Sequence, residues 1–229
     1  MSDFKDTIII SMGGSLLVPD HIDTVFISRL KEMVRYFTQN NYQIVLVIGG
    51  GKTARNYQEA LRELKVRDAE AFDWVGIKAI HLNCEMLLRA FSDLDIHENI
   101  IYEPEELNNI EAPIVIKAAL KPGNSSDMGA VRMAQVSGTN RIINFSNISH
   151  VYSEDPRVNP DADRFDTLSW RAYRNLIPSD WTPGMSAPFD PVASRLAEES
   201  GITVVILGAS LENLQGYLDG KSFAGTLIS

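Results

Sequence analysis

Gln43-Ile44-Val45-Leu46-Val47-Ile48-Gly49-Gly50-Gly51-Lys52-Thr53-Ala54-Arg55 is the stretch that decides the fold. Its first six residues are almost all aliphatic and partly β-branched. A run that short and that apolar reads as a buried strand. It enters three glycines, and the residues from Lys52 to about Leu64 then take helical spacing. Strand, glycine turn and helix form half of a βα unit. A turn without Cβ atoms lets backbone N–H groups come close to an anion, and the helix start adds a favourable dipole. Lys52 adds a point charge and Arg55, one turn on, a guanidinium. That set suits a chain of phosphates. The spacing is neither G-x-x-x-x-G-K-[ST] nor G-x-G-x-x-G, so a plain tight turn remains the alternative for this cluster taken alone.

The same design recurs upstream. Thr7–Met12 is a short apolar strand that ends in Gly13-Gly14-Ser15. Asp23 to Phe37 shows helical spacing, and Asn40-Asn41 breaks it. Downstream, helices are expected over Asp73 to Phe91, Asp127–Val136, Pro191–Glu199 and Leu211–Leu218. Strands are expected at Ile114–Ile116, Arg141–Phe145, Gly201–Leu207 and near Thr226–Ile228. Asp155–Asp163 and Pro178–Pro188 read as irregular. Strand and helix alternate throughout, which predicts an α/β fold with a mostly parallel sheet covered on both faces. Ligands in such sheets bind at the carboxyl ends of the strands. One domain over residues 1–229 is expected, with an N-terminal lobe to about 120 and a second lobe from Lys121. A third candidate loop, Pro122-Gly123-Asn124-Ser125-Ser126-Asp127, offers hydroxyls, backbone donors and a carboxylate; Ser126 or Asp127 could equally be a helix N-cap that needs no ligand.

Composition narrows the function. The 229 residues are 45% apolar and 22% charged, with a formal net charge of −9. That balance offers no broad basic surface for nucleic acid or an anionic membrane. The one cysteine, Cys84, excludes an intrachain disulfide and fits a reducing compartment. Residues Met1 to Asp6 lack the features of a signal peptide, and no apolar run nears the roughly 20 residues of a membrane span. A soluble, cytoplasmic protein is expected. The four histidines are scattered without metal-ligand spacing, and no Ser/His/Asp arrangement stands out.

Taken together, Met12-Gly13-Gly14-Ser15-Leu16, GGGKTAR from Gly49 to Arg55, Asp73-Trp74-Val75-Gly76-Ile77, the Pro122–Asp127 loop, Ser146-Asn147-Ile148-Ser149-His150-Val151-Tyr152 with Asp155-Pro156, Asp190-Pro191-Val192-Ala193 and Gly225-Thr226 resemble the amino-acid-kinase superfamily. Within it the pattern is most similar to the archaeal-type UMP (uridylate) kinases, and it covers nearly the whole chain. The resemblance implies a three-layer α/β/α sandwich that transfers the γ-phosphoryl group of ATP to UMP, with Mg²⁺ carried by ATP, in pyrimidine nucleotide biosynthesis. It implies that Gly13, Gly14 and Ser15 line the transferring phosphates and that Gly50, Gly51 and Arg55 hold phosphates of UMP or ATP. Asp73 would take the UMP ribose. Asn124, Ser125 and Ser126 would face the uridine and its phosphate. Asp127 would organise the catalytic centre, with Lys52 supplying the migrating positive charge. Ser146, Tyr152 and Asp155 would border the adenine nucleotide. A homo-oligomer, commonly a hexamer built from dimers, is implied as well, with small-molecule nucleotides as the other partners.

The chain also departs from that pattern. Ser11 stands where many members carry lysine, Ala118-Ala119 replaces a Gly-Gly pair, Ser149-His150 replaces Asp-Gly, and His81 replaces an arginine. Lys117 and Lys121 are extra charges beside the acceptor loop, read as solvated surface lysines or as a change in anion recognition. Two other functions therefore stay open: a kinase of the same fold with another small acceptor (a carboxylate, a carbamate or a phosphomonoester), and a non-catalytic relative that binds a nucleotide or oxyanion.

Overall fold

Strand β1 (Asp6–Met12) pairs in parallel on both edges, with β2 (Tyr42–Ile48) and β4 (Arg141–Phe145), so Ile9 lies beside Val45 and beside Ile142. The computed structural model that shows this describes residues 4–123, 125–180 and 187–229. A seven-stranded sheet grows from that pair in the order β3-β2-β1-β4-β8-β9-β7, with β3 at Ile114–Lys117, β7 at Thr167–Leu168, β8 at Thr203–Leu207 and β9 at Gly225–Ile228. Among the described residues only the β8–β9 pairing in this sheet is antiparallel. A small separate ribbon joins β5 (Val151–Tyr152) to β6 (Arg164–Phe165).

Side chains alternate across the sheet, and each face carries its own core. Ile8, Ile10, Met12, Leu46, Ile48 and Ile116 point to one face. They are covered by α2 (Thr24–Gln39), α4 (Ala69–Ala90) and α8 (Leu211–Leu218) through Leu30, Phe37, Leu87 and Leu214. Ile9, Val45, Val47 and Val115 point to the other, under α5 (Ser126–Ser137), α6 (Trp170–Arg174) and α7 (Pro191–Glu199). This is the expected three-layer sandwich. The remaining elements are the single turn α1 (Gly14–Leu17), helix α3 (Gly51–Glu63) and a 3-10 turn at Pro104–Asn109.

Helix α4 differs from its expected start at Asp73. Asp68 caps it by accepting from the Glu70 N–H (3.0 Å), which places Asp73 in the second turn. Helix α5 is capped by Ser125, whose Oγ accepts from the Met128 N–H (3.1 Å), and not by Ser126 or Asp127. Among the described residues no helix is long and apolar enough to cross a membrane. Most of the irregular stretch expected at Pro178–Pro188 falls outside the described residues, as does Asn124.

Candidate nucleotide site

The two glycine turns follow adjacent parallel strands and lock into each other. The Gly49 N–H donates to the Met12 carbonyl (2.9 Å). A Cβ on Gly14 would lie 2.2 Å from the Gly51 nitrogen and 2.3 Å from the Gly49 oxygen. Gly51 has φ +64°, and a Cβ there would meet the Gly14 oxygen at 2.3 Å. These glycines are therefore required by backbone-on-backbone contact, whatever else they do. The N–H groups of Gly13 and Lys52 are also spent, on the carbonyls of Phe145 (2.8 Å) and Val18 (3.1 Å). Those of Gly14, Ser15, Gly50 and Gly51 have no acceptor among the described residues. They are a set of unspent donors at two helix starts, groups of the kind that phosphate sites use. Lys52 is half-buried beside them, its ammonium without a partner among the described residues. Arg55 donates from Nη1 to Ser15 Oγ (3.3 Å), linking the turns across the site.

Behind this cradle Asp127 ties three elements together. Its Oδ1 accepts from Ser11 Oγ of β1 (2.9 Å) and from Asn144 Nδ2 of β4 (3.0 Å). Its Oδ2 accepts from the Asp190 N–H at the start of α7 (3.0 Å). Burial pushes the carboxyl up to about 6, and the nearby Asp190 charge adds to that; the three donors pull the other way. Asp190 itself caps α7 by accepting from the Ala193 N–H (2.7 Å). Ser11, Asn144 and Asp190 were not picked out for this role from the sequence. A signal was available: Ser11 and Asn144 are polar residues inside otherwise aliphatic parallel strands, and buried polar groups need partners.

The acceptor-side residues form a second group. Asp73 Oδ2 accepts from the Gly123 N–H (3.0 Å), which holds the 118–123 segment against α4. His81 fixes the same segment by donating from Nε2 to the Ala119 carbonyl (2.8 Å), with its ring edge-on to Tyr102. Asn83 donates from Nδ2 to the carbonyls of Gly49 (3.0 Å) and Gly50 (3.3 Å), so α4 also positions the second glycine turn. Ser125 and Ser126 are half-buried at the start of α5. Lys121 is exposed as expected. Lys117 is not: it is 7% exposed, because β3 aims it at the apolar face under α5. The reading of Lys117 as a solvated surface lysine is thus corrected.

On the opposite flank Ser146 packs against Gly13, and its Oγ accepts from the Ile148 N–H (3.1 Å). The changed pair Ser149-His150 leads into β5, where Val151 donates to Thr226 Oγ1 (2.8 Å). Tyr152 and Asp155 stand on the β5–β6 excursion, and no hydrogen bond links them to the glycine turns among the described residues. The Asp155 carboxylate is occupied by Arg157, whose guanidinium holds it down at about 2. The structure thus gathers Gly13, Gly14, Ser15, Gly50, Gly51, Lys52, Arg55, Asp127 and Ser146 at the strand ends.

Residues 6–208 match the model of the amino acid kinase family. The chain belongs to the amino acid kinase family. Within that family it is 31% identical to a uridylate kinase of Thermoplasma volcanium, over 98% of this chain and 98% of the relative. It is 30% identical to a uridylate kinase of Methanocorpusculum labreanum, over 96% and 94%. The crystal structure of the Archaeoglobus fulgidus uridylate kinase superposes with a TM-score of 0.79 at 27% identity, over 97% of this chain and 99% of that one. The interlocked glycine turns of this amino acid kinase lie inside the matched region, as do Asp127 and the 118–123 segment.

Proposed function

We propose that this chain is a UMP kinase that transfers the γ-phosphoryl group of ATP to UMP, giving UDP and ADP. The observation that carries the reading is the set of unspent N–H groups on two interlocked glycine turns, with Lys52 and Arg55 beside them. The uridylate kinases that it resembles over almost its whole length support UMP as the acceptor.

The chemistry asks little of side chains. A phosphate oxygen of UMP attacks the γ-phosphorus while the bond to the β–γ bridging oxygen breaks. The nucleophile is already an anion, so no general base is needed. The transition state spreads charge over the equatorial oxygens, and catalysis is positioning plus charge stabilisation. The free N–H groups of Gly14, Ser15, Gly50 and Gly51 would meet that charge, and the unpaired ammonium of Lys52 would follow it across. Arg55 would hold a phosphate oxygen. Asp127 acts as a positioning residue: it fixes the ends of β1 and β4 and the start of α7 relative to one another.

On the acceptor side Asp73, Asn124, Ser125 and Ser126 would face UMP, within the lobe formed by residues up to about 120 and the loop that follows. Ser146, Tyr152 and Asp155 would border the ATP side, formed by the rest of the chain. Mg²⁺ bound to the triphosphate would neutralise charge on its β- and γ-oxygens. Among the described residues no three His, Cys, Asp or Glu side chains converge on one point. A metal brought by the nucleotide needs no such cluster, and Asp127 would act on it only by holding the surrounding strand ends in place. The exposed Tyr57, Trp74 and Leu82 on α3 and α4 form an apolar face suited to association of identical chains, as a homo-oligomer requires. A cytoplasmic location, where both nucleotides are at hand, goes with this reading.

The test is coupled ADP release with ATP and Mg²⁺ against UMP, CMP, dUMP, AMP and small carboxylates. Turnover with UMP far above the other acceptors is expected. A folded protein that turns over a carboxylate and not UMP would refute the acceptor, and nucleotide binding without any turnover would refute the kinase.

A further inference from the structure

Lys117 is a buried cation without a counter-ion. Its Nζ donates to one carbonyl, that of Ala118 (3.0 Å), and no carboxylate lies within ion-pair distance among the described residues. An ammonium has three donors, and a buried charge without a partner is costly. The chain makes a second concession to it. Gly129 sits inside α5, where glycine is a poor helix former. A Cβ there would lie 3.0 Å from Lys117 Nζ and 3.4 Å from its Cε, so the glycine leaves the ammonium its room.

Lys117 lines a small cavity of ≈ 50 Å³ between the ends of β2 and β3, the 119–121 segment, the start of α5 and Tyr102–Pro104, and its ammonium lies beside Gly129, which lines the same cavity. Lys121 and Arg132 also line it, both exposed and without an ion pair among the described residues. Among the described residues Glu103 is the only acidic one in its wall. Three cations face one carboxylate. The nearby Glu106 is turned elsewhere, accepting from the N–H groups of Tyr102 (2.8 Å) and Glu103 (2.7 Å). Ser125 and Ser126 complete the wall on the side shared with the acceptor loop.

We infer that this cavity is a subsite for a single oxyanion group, a carboxylate or a phosphate, held between Lys117 and Arg132. Its volume suits one such group and not a nucleotide. The group can come from two sources: an acidic substituent on the ring of the acceptor, or a free anion. The first source rests on the kinase reading above; the site itself does not.

Two binding measurements test the site without turnover, with UMP and ADP at saturation so that the glycine turns are filled. Crystals soaked in selenate are expected to show an anomalous peak within hydrogen-bond distance of Lys117 Nζ, absent in Lys117→Met. Calorimetric titration with inorganic phosphate is expected to give an affinity that falls at least tenfold in Lys117→Met and severalfold in the surface variant Arg132→Gln. Selenate absent from the cavity, or phosphate affinity equal in all three proteins, would overturn the proposal. The source is separated by kinetics with 5-carboxyuridine 5′-monophosphate and UMP. If the acceptor delivers the carboxylate, Lys117→Met lowers kcat/KM for the carboxylated nucleotide at least tenfold and leaves that for UMP in place. If a free anion is the ligand, the ratio between the two nucleotides stays constant and inorganic phosphate still binds beside either one. A protein inactive on both nucleotides that still binds selenate at Lys117 would refute the kinase reading and keep the site.

Discussion

Asp127 and Lys117 are charged groups at the inner ends of neighbouring elements, on the same side of the sheet, and the fold treats them in opposite ways. Asp127 receives three hydrogen bonds from three different elements. Lys117 receives one acceptor, from the residue next to it in the chain. A charge that is fully partnered within the protein organises the protein. A charge left with unused donors beside a cavity has capacity for something that is not protein. On the readings proposed above, the contrast separates a residue that would hold the phosphoryl-transfer site together from one that would add an anion to what the site takes.

The frame on which both depend is the contact between the glycine turns, and breaking it should cost most. Gly14→Ala puts a methyl group inside the backbone of residues 49–51 and is expected to destabilise the protein by about 4 kcal/mol or more, read as the urea midpoint. Next comes Asp127→Ala, which leaves the Ser11, Asn144 and Asp190 donors unmet. A loss of about 3 kcal/mol is expected, with turnover lost well before the protein unfolds.

The pH dependence of stability sharpens the same comparison. With its carboxyl held up at about 6, Asp127 binds a proton more tightly in the folded chain than at the ordinary value of about 4 in the unfolded one. Its contribution is therefore fully present below about pH 4 and is lost as the pH rises to about 6. The difference in stability between the wild type and Asp127→Asn should change across that window and stay flat above it. Lys117 has the opposite pattern. Burial lowers its affinity for a proton in the folded state, so carrying the charge costs stability at neutral pH. Lys117→Met should stabilise the protein by about 1–2 kcal/mol, measured as a rise in Tm, and the gain should shrink as the pH approaches the ordinary lysine value. The smallest effect belongs to an exposed pair: Asp155→Asn, which frees Arg157 on the surface, should leave Tm unchanged within error.

The parallel core was legible because aliphatic runs such as Ile44–Ile48 have few other uses, and because two glycine clusters punctuate their ends. The mostly parallel sheet covered on both faces followed from alternation, and the three-layer sandwich from the family resemblance. The short elements β5, β6, β7 and α6 were not legible, since two- to five-residue pieces such as Arg164–Phe165 carry no period. The start of α4 was missed because the four residues after Asp68 carry no clear apolar period, and only the fold shows that Asp68 meets the Glu70 N–H. The burial of Lys117 was missed for a physical reason. Lysine is an outward-facing residue by default, and its position one step past Ile116 was read as the end of the strand. In the structure the strand continues to Lys117 and turns its side chain toward α5. The glycines were read as anion-binding turns. Their steric necessity, each filling the space the other leaves, appears only when the turns are placed side by side.

The most direct test of the account is transfer of label from γ-³²P-ATP to UMP by the wild type and by Lys52→Ala, with Tm measured on both. The account predicts labelled UDP from the wild type, a loss of about 10²- to 10³-fold in kcat for the variant and an unchanged Tm. Labelled UDP formed at the same rate by Lys52→Ala would contradict the role given to the one unpaired ammonium beside the glycine turns, and no labelled UDP from the folded wild type would contradict the function itself.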